Sequence, residues 1–117
     1  MKIVHTLKEV APLDLTVFGI NSHVKGYSLC WHINKILDLD LIKNKGATTS
    51  EKETFSCFEF MLEEQKTLLV QNKSKKGFLL SEKKKIDYFL TFEPAINLDK
   101  RKEFLLKLSE SSKILLI

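Results

Sequence analysis

The run IDYFLTFEP, residues 86–94, alternates over seven positions, with Ile86, Tyr88, Leu90 and Phe92 on one side and Asp87, Phe89 and Thr91 on the other. Period two sustained this long fits a strand and not an amphipathic helix. Aliphatic and aromatic side chains dominate it, so it predicts a buried strand about which the rest of the chain must be arranged. The polar stretch before it, SEKKK, predicts a turn that feeds this strand.

Other segments repeat the pattern. Leu13–Asn21 reads as an interior strand, with Pro12 just before it. Leu39–Lys45 predicts a short strand and Gly46–Glu53 a loop, the most mobile segment expected. In Phe55–Leu62, Phe58, Phe60 and Leu62 share one face, and Phe55, Cys57, Glu59 and Met61 share the other. Glu63–Lys66 predicts a four-residue turn, with Thr67–Asn72 pairing back as the second arm of a hairpin. Lys73–Gly77 is a basic loop and Phe78–Leu80 a short extended piece.

Two segments have helical spacing instead. In Ser22–Asp38, Leu29, Ile33, Ile36 and Leu37 form a stripe with Cys30 beside it, and Ser22 is a good N-cap. In Asn97–Ser111, Leu98, Leu105 and Leu108 form the stripe with Phe104 adjoining. Asn97 or Asp99 caps that helix, and Glu103 with Lys107 is an i, i+4 pair in the favourable order. Lys113–Ile117 ends on apolar residues, which a sheet or a partner normally ties down. Grouped strands between two helices predict an α+β fold: a mostly antiparallel sheet of four to six strands with both helices packed on one face. The opposite face then exposes Phe55, Met61 or Phe89 as an apolar patch suited to a partner or a second copy.

The 117 residues suit a single domain spanning 1–117, and 44% hydrophobic with 29% charged residues is a globular balance. No apolar run approaches the ~20 residues of a membrane helix, and the first ten residues lack a signal-peptide core, so a cytoplasmic protein is expected. Net charge is +4, yet Arg101 is the only arginine among nineteen basic residues, which weakens an argument for sequence-specific nucleic-acid recognition.

FGINSHVKGYSLCWHIN, residues 18–34, followed by LSEKKKIDY, residues 80–88, resembles the paired motifs of the IPExxxVDY family, small bacterial proteins with no assigned reaction. Phe18, Gly19, His23, Tyr27, Leu29, Cys30, Trp31 and Asn34 match in the first segment, and Glu82, Asp87 and Tyr88 in the second. Leu80 and Ile86 are conservative replacements. Ser81 stands where the family has proline, and Gly26 and Ser28 where it has an acid and an arginine. The resemblance extends from the first strand to Phe92 and implies candidate binding positions at His23, Tyr27, Trp31, Asn34, Glu82, Asp87 and Tyr88, without implying a catalytic residue.

The residues themselves leave three readings open. Glu82 and Asp87 are either a carboxylate pair for acid–base or ligand chemistry, or hydrogen-bonded props that fix the turn. His23, Tyr27, Trp31 and Asn34 line one side of the first helix, as a pocket, an interface, or an aromatic flank packed on the sheet. Packing is the expectation for Tyr27 and Trp31, whereas Asn34 is a poor helix former that wants a partner. Lys73, Lys75, Lys76, Lys83, Lys84 and Lys85 face phosphates of an RNA, or simply protect sheet edges.

FGINSH at a helix start carries one glycine and no phosphate-loop pattern. His23 and His32 cannot share a helix face, and Cys30 and Cys57 are spaced like buried free thiols, so neither metal nor cofactor is expected. The leading expectation is a non-catalytic protein-interaction module, self-associating or binding another protein. The alternatives are a weak RNA binder and a small-ligand protein or enzyme built on Glu82 and Asp87.

Overall fold

The computed structural model describes residues 14–24, 26–44, 47–48, 54–72 and 85–116. Strand β1 (Thr16–Asn21) leads to helix α1 (Tyr27–Leu37). Then come the short strands β2 (Ile42–Lys43), β3 (Ala47–Thr48) and β4 (Thr54–Phe55), and the longer β5 (Cys57–Leu62), β6 (Gln65–Gln71) and β7 (Tyr88–Glu93). Helix α2 (Leu98–Ser109) and strand β8 (Leu115–Leu116) complete the chain. Six strands form one open sheet in the order β2-β5-β6-β7-β1-β8, and β3 with β4 forms a separate ribbon. Every pair is antiparallel. The fold is therefore α+β with an antiparallel sheet, as the grouping of strands predicts.

The alternating run sits at the heart of this sheet. β7 lies between β6 and β1, and Leu90 stands opposite both Leu69 and Phe18. Tyr88, Leu90 and Phe92 join Phe18, Ile20, Phe58 and Leu69 in one core with Leu29, Ile33 and Leu37 of α1 and Phe104 and Leu108 of α2. Both helices thus bury their apolar stripes against the same side of the sheet. Strand periodicity turns Phe89 to the other side, across the ladder from Val70. There a smaller cluster of Phe55, Cys57 and Val70 is buried, with Leu68 packed against it. The expected exposed patch on that side is corrected here. Phe55 and Phe89 are buried, and only Met61 of the three is exposed.

Several boundaries also shift. The β5–β6 turn has two residues, Glu63 and Glu64, because Leu62 already pairs with Gln65. Glu63 takes φ 56°, which a tight hairpin turn requires. Part of the expected loop 46–53 is strand, since Ala47–Thr48 pairs with Thr54–Phe55, and residues 49–53 lie outside the described residues. Helix α1 starts at Tyr27, four residues later than the Ser22 cap implies. Its N-cap is Gly26 at φ 58°, a backbone state that glycine reaches without strain. Ser22 instead accepts the Val24 N–H at 3.1 Å and donates its hydroxyl to the Lys113 carbonyl.

In α2, Asn97 caps as expected by accepting the Lys100 N–H at 2.7 Å, and Glu103 meets Lys107 at 2.8 Å. The buried stripe runs through Phe104 and Leu108, leaving Leu98 exposed at the first helical residue, contrary to the expected stripe. The chain end is tied into the sheet, with Leu116 opposite Ile20.

Candidate functional site

The two segments that carry the family resemblance meet in space. The Asn21 side chain donates to the Lys85 carbonyl at 2.7 Å and accepts the Asp87 N–H at 2.7 Å. The Asp87 carboxylate accepts the Ser22 N–H at 3.3 Å. From the other flank, buried Asn72 donates its side-chain amide to the Ile86 carbonyl and its N–H to the Asp87 carbonyl, both at 2.8 Å. One residue on, the Tyr88 hydroxyl accepts the Gly26 N–H at 3.0 Å where α1 begins. These bonds clamp the entry of β7 to the exit of β1 and to the link into α1, satisfying backbone groups that the strand ladders leave over. Residues 85–87 are thus anchored by their neighbours, and Asp87 acts within that clasp.

Burial pushes the Tyr88 phenol up; the Gly26 N–H opposes the shift and the Asp87 charge adds to it. A phenol so placed stays protonated at neutral pH and is a hydrogen-bond anchor rather than a base.

Asn34 does find its partner. Its side chain grips the Leu41 backbone at both ends, accepting the N–H at 2.8 Å and donating to the carbonyl at 3.1 Å. The Cys30 thiol also donates to that carbonyl, at 3.5 Å. Asn34 therefore faces the chain that leaves α1 and fixes its path into β2. Burial raises Cys30 and Cys57 above the ordinary thiol range, against opposing hydrogen bonds from Asn34 and Asn44 respectively. Acidic neighbours, Asp40 for Cys30 and Glu59 for Cys57, push the same way as burial. Neither is an activated nucleophile.

The expected four-residue stripe on the first helix is divided. His23 precedes the helix and is exposed, and Asn34 turns inward. Tyr27 and Trp31 point outward, 70% and 58% exposed, which corrects the expectation that they pack on the sheet. The reason is angular: Leu29 and Ile33 direct the opposite side of α1 into the core. The Tyr27 ring meets buried Phe58 edge-on at 5.5 Å, with Lys43 Nζ 5.5 Å from its centroid. Lys35 Nζ lies 4.8 Å over Trp31, and His32 contacts the same ring edge-on at 5.1 Å. The outcome is an exposed pair of aromatics, each carrying an ammonium group, beside the edge strand β2. The i, i+4 spacings that place Tyr27 beside Trp31 and Trp31 beside Lys35 are legible in the sequence, but the contributions of Lys43 and Phe58 depend on the fold.

An open groove of about 590 Å³ runs beside His23, Asp87 and Ser111–Leu115. Three of its polar side chains are engaged with backbone: Ser22 with Lys113, Asp87 with Ser22, and Ser111 with the Lys113 N–H at 3.2 Å. No group of three His, Cys, Asp or Glu side chains able to hold a metal occurs among the described residues. Glu82, Lys73, Lys75, Lys76, Lys83 and Lys84 lie outside the described residues, as do the basic loop 73–77 and Phe78–Leu80, while Lys85 is exposed. No helix among the described residues is long and apolar enough to cross a membrane. No protein-family model, curated protein or solved structure matches the chain.

Proposed function

We propose that this chain is a non-catalytic protein-interaction module whose contact surface is the outer face of α1 beside β2. The observation that carries the reading is the exposure of Tyr27 and Trp31 one helical turn apart, each held under a lysine. Large aromatics with cationic neighbours are the residues that anchor protein interfaces, and most of both rings is left in water. The polar candidates favour the same reading by a different route. Asn34, Asp87 and Tyr88 each hydrogen-bond to backbone, which gives each of them a part in holding the path of the chain. Membership of the IPExxxVDY family is part of this proposal. It is supported by the contact between Asn21–Ser22 and Lys85–Asp87, which joins the two resembling segments.

Replacing Trp31 by a photo-crosslinking phenylalanine analogue in growing cells tests the surface, with Lys102 on the exposed side of α2 as the control position. Covalent protein adducts from position 31 and none from position 102 are expected. Absence of adducts from position 31 removes the reading.

A further inference from the structure

We infer that the occupant of the aromatic face is a second copy of this chain, with its α1 antiparallel to the first. This rests on the interaction reading above and names the partner. The exposed line of α1 runs through Tyr27, Trp31 and Lys35 to Asp38. Its ends differ in charge. At the start, Lys43 rests over Tyr27 with no carboxylate at ion-pair distance among the described residues, and the first helical turn holds no acid. At the end, Asp38 is exposed and lines one groove with Leu62 and Gln65 of the β5–β6 hairpin and with α2. In α2, Lys107 is neutralised by Glu103, and Lys100 lies over the Phe104 ring as the one cation of the groove without an acid at ion-pair distance among the described residues. The hairpin brings the exposed Glu63 and Glu64 of its tip to the acidic end.

A face with a cation at one end and acids at the other complements itself only when turned end for end, which is a two-fold operation. Tyr27 to Asp38 spans about 16 Å of helix. An axis midway sets Tyr27 and Lys43 of one copy opposite Asp38 of the second, and Trp31 opposite Lys35 of the second. The ammonium that now covers Trp31 within one chain then serves the ring across the interface. Antiparallel helices also bring unlike dipole ends together. A nucleic acid fits this face poorly: its bases would have to displace both lysines from the rings, and its phosphates would meet Asp38, Glu63 and Glu64.

Analytical ultracentrifugation of the purified full chain between about 1 μM and 1 mM tests the proposal. Wild type is expected to dimerise within this range. Lys43→Glu and Asp38→Lys should each weaken dimerisation at least ~10-fold, and the two together should restore it to within ~3-fold. Asp38 sits at φ 57°, so Asp38→Asn, which keeps a residue suited to that backbone, serves as a second charge-removing variant with the same expected direction. A chain monomeric throughout, a dimer indifferent to these variants, or a double variant without restoration overturns the proposal. The crosslink at position 31 separates the two levels of inference. A product of twice the 13.5 kDa chain mass supports the second copy. A product with a different protein overturns the second copy and leaves the interaction reading standing, and no product removes both.

Discussion

Asn34→Ala separates a structural pin from a binding residue. Leu41 is buried at 4% exposure, and the substitution strips its N–H of the 2.8 Å acceptor on Asn34. A buried amide left without a partner costs about 1–3 kcal/mol, and the lost 3.1 Å bond to the Leu41 carbonyl removes about 1 kcal/mol more. The Cys30 thiol still reaches that carbonyl, which limits the second loss. Alanine recovers about 0.5 kcal/mol of helix propensity. The net expected cost is about 2–3 kcal/mol, and for a chain of this size it lowers Tm by about 8–12 °C. Urea unfolding followed by far-ultraviolet circular dichroism measures it, with an unchanged m-value. Asn34→Asp, which keeps the acceptor for the Leu41 N–H, should fall between wild type and alanine. A loss below about 0.5 kcal/mol for Asn34→Ala would refute the assignment of Asn34 to the α1–β2 connection.

Tyr88→Phe removes the acceptor of the Gly26 N–H and should cost about 1 kcal/mol in the same assay; no change would show that the hydroxyl does not hold the start of α1. Trp31→Ala, by contrast, should alter stability by no more than about 0.5 kcal/mol, because the ring is mostly exposed; a loss of several kcal/mol would mean that it packs within the monomer. Stability should fall at alkaline pH. Cys30, Cys57 and Tyr88 all titrate higher in the fold, so the native state holds their protons more tightly than the unfolded chain. Their contribution is complete below the unfolded values, about 8.5 for the thiols and 10 for the phenol, and is lost as pH rises through the folded ones. The urea midpoint should therefore decline above about pH 8.5, and replacing both cysteines by alanine should flatten the decline up to about pH 9.5. A midpoint that is flat in the wild type would contradict the burial of the thiols.

Strand periodicity was legible wherever side chains alternate without interruption. Leu90 in β7 and the opposed faces of Phe58 and Cys57 in β5 follow directly from period two, and so does the burial of Leu29 and Ile33 from the helical period. What was not legible depends on register or on backbone state. Gly26 could be seen as a weak helix residue, yet nothing local says that it takes positive φ and delays α1 to Tyr27. Residues 63–66 contain enough polar side chains for a four-residue turn, and only the pairing of Leu62 with Gln65 shortens it to two. The candidate site divides along the same line. Asn34 announced its need for a partner by its helix position, but that the partner is the Leu41 backbone depends on the path after Asp38. Asp87 and Tyr88 stood out as a motif, whereas Asn21 and Asn72, which clamp the same strand from both flanks, are distant in sequence and carry no local signal. Tyr27 and Trp31 are visible in the sequence as a pair, but their exposure is not. An aromatic on the flank of a helical stripe packs or projects according to where the sheet ends, and here β2 ends it.

Trp31 is the sole tryptophan in the chain, so its emission reports on the proposed contact face without labelling. The most direct measurement is the emission spectrum of the purified protein as it is concentrated from dilute solution, with acrylamide quenching at each step. The account predicts a red, readily quenched emission in the dilute monomer and a blue-shifted, protected one as second copies cover the face. Emission that is blue and protected at every dilution would contradict the exposed aromatic face itself, and emission that stays red and quenchable at every concentration would contradict its occupation by a second copy.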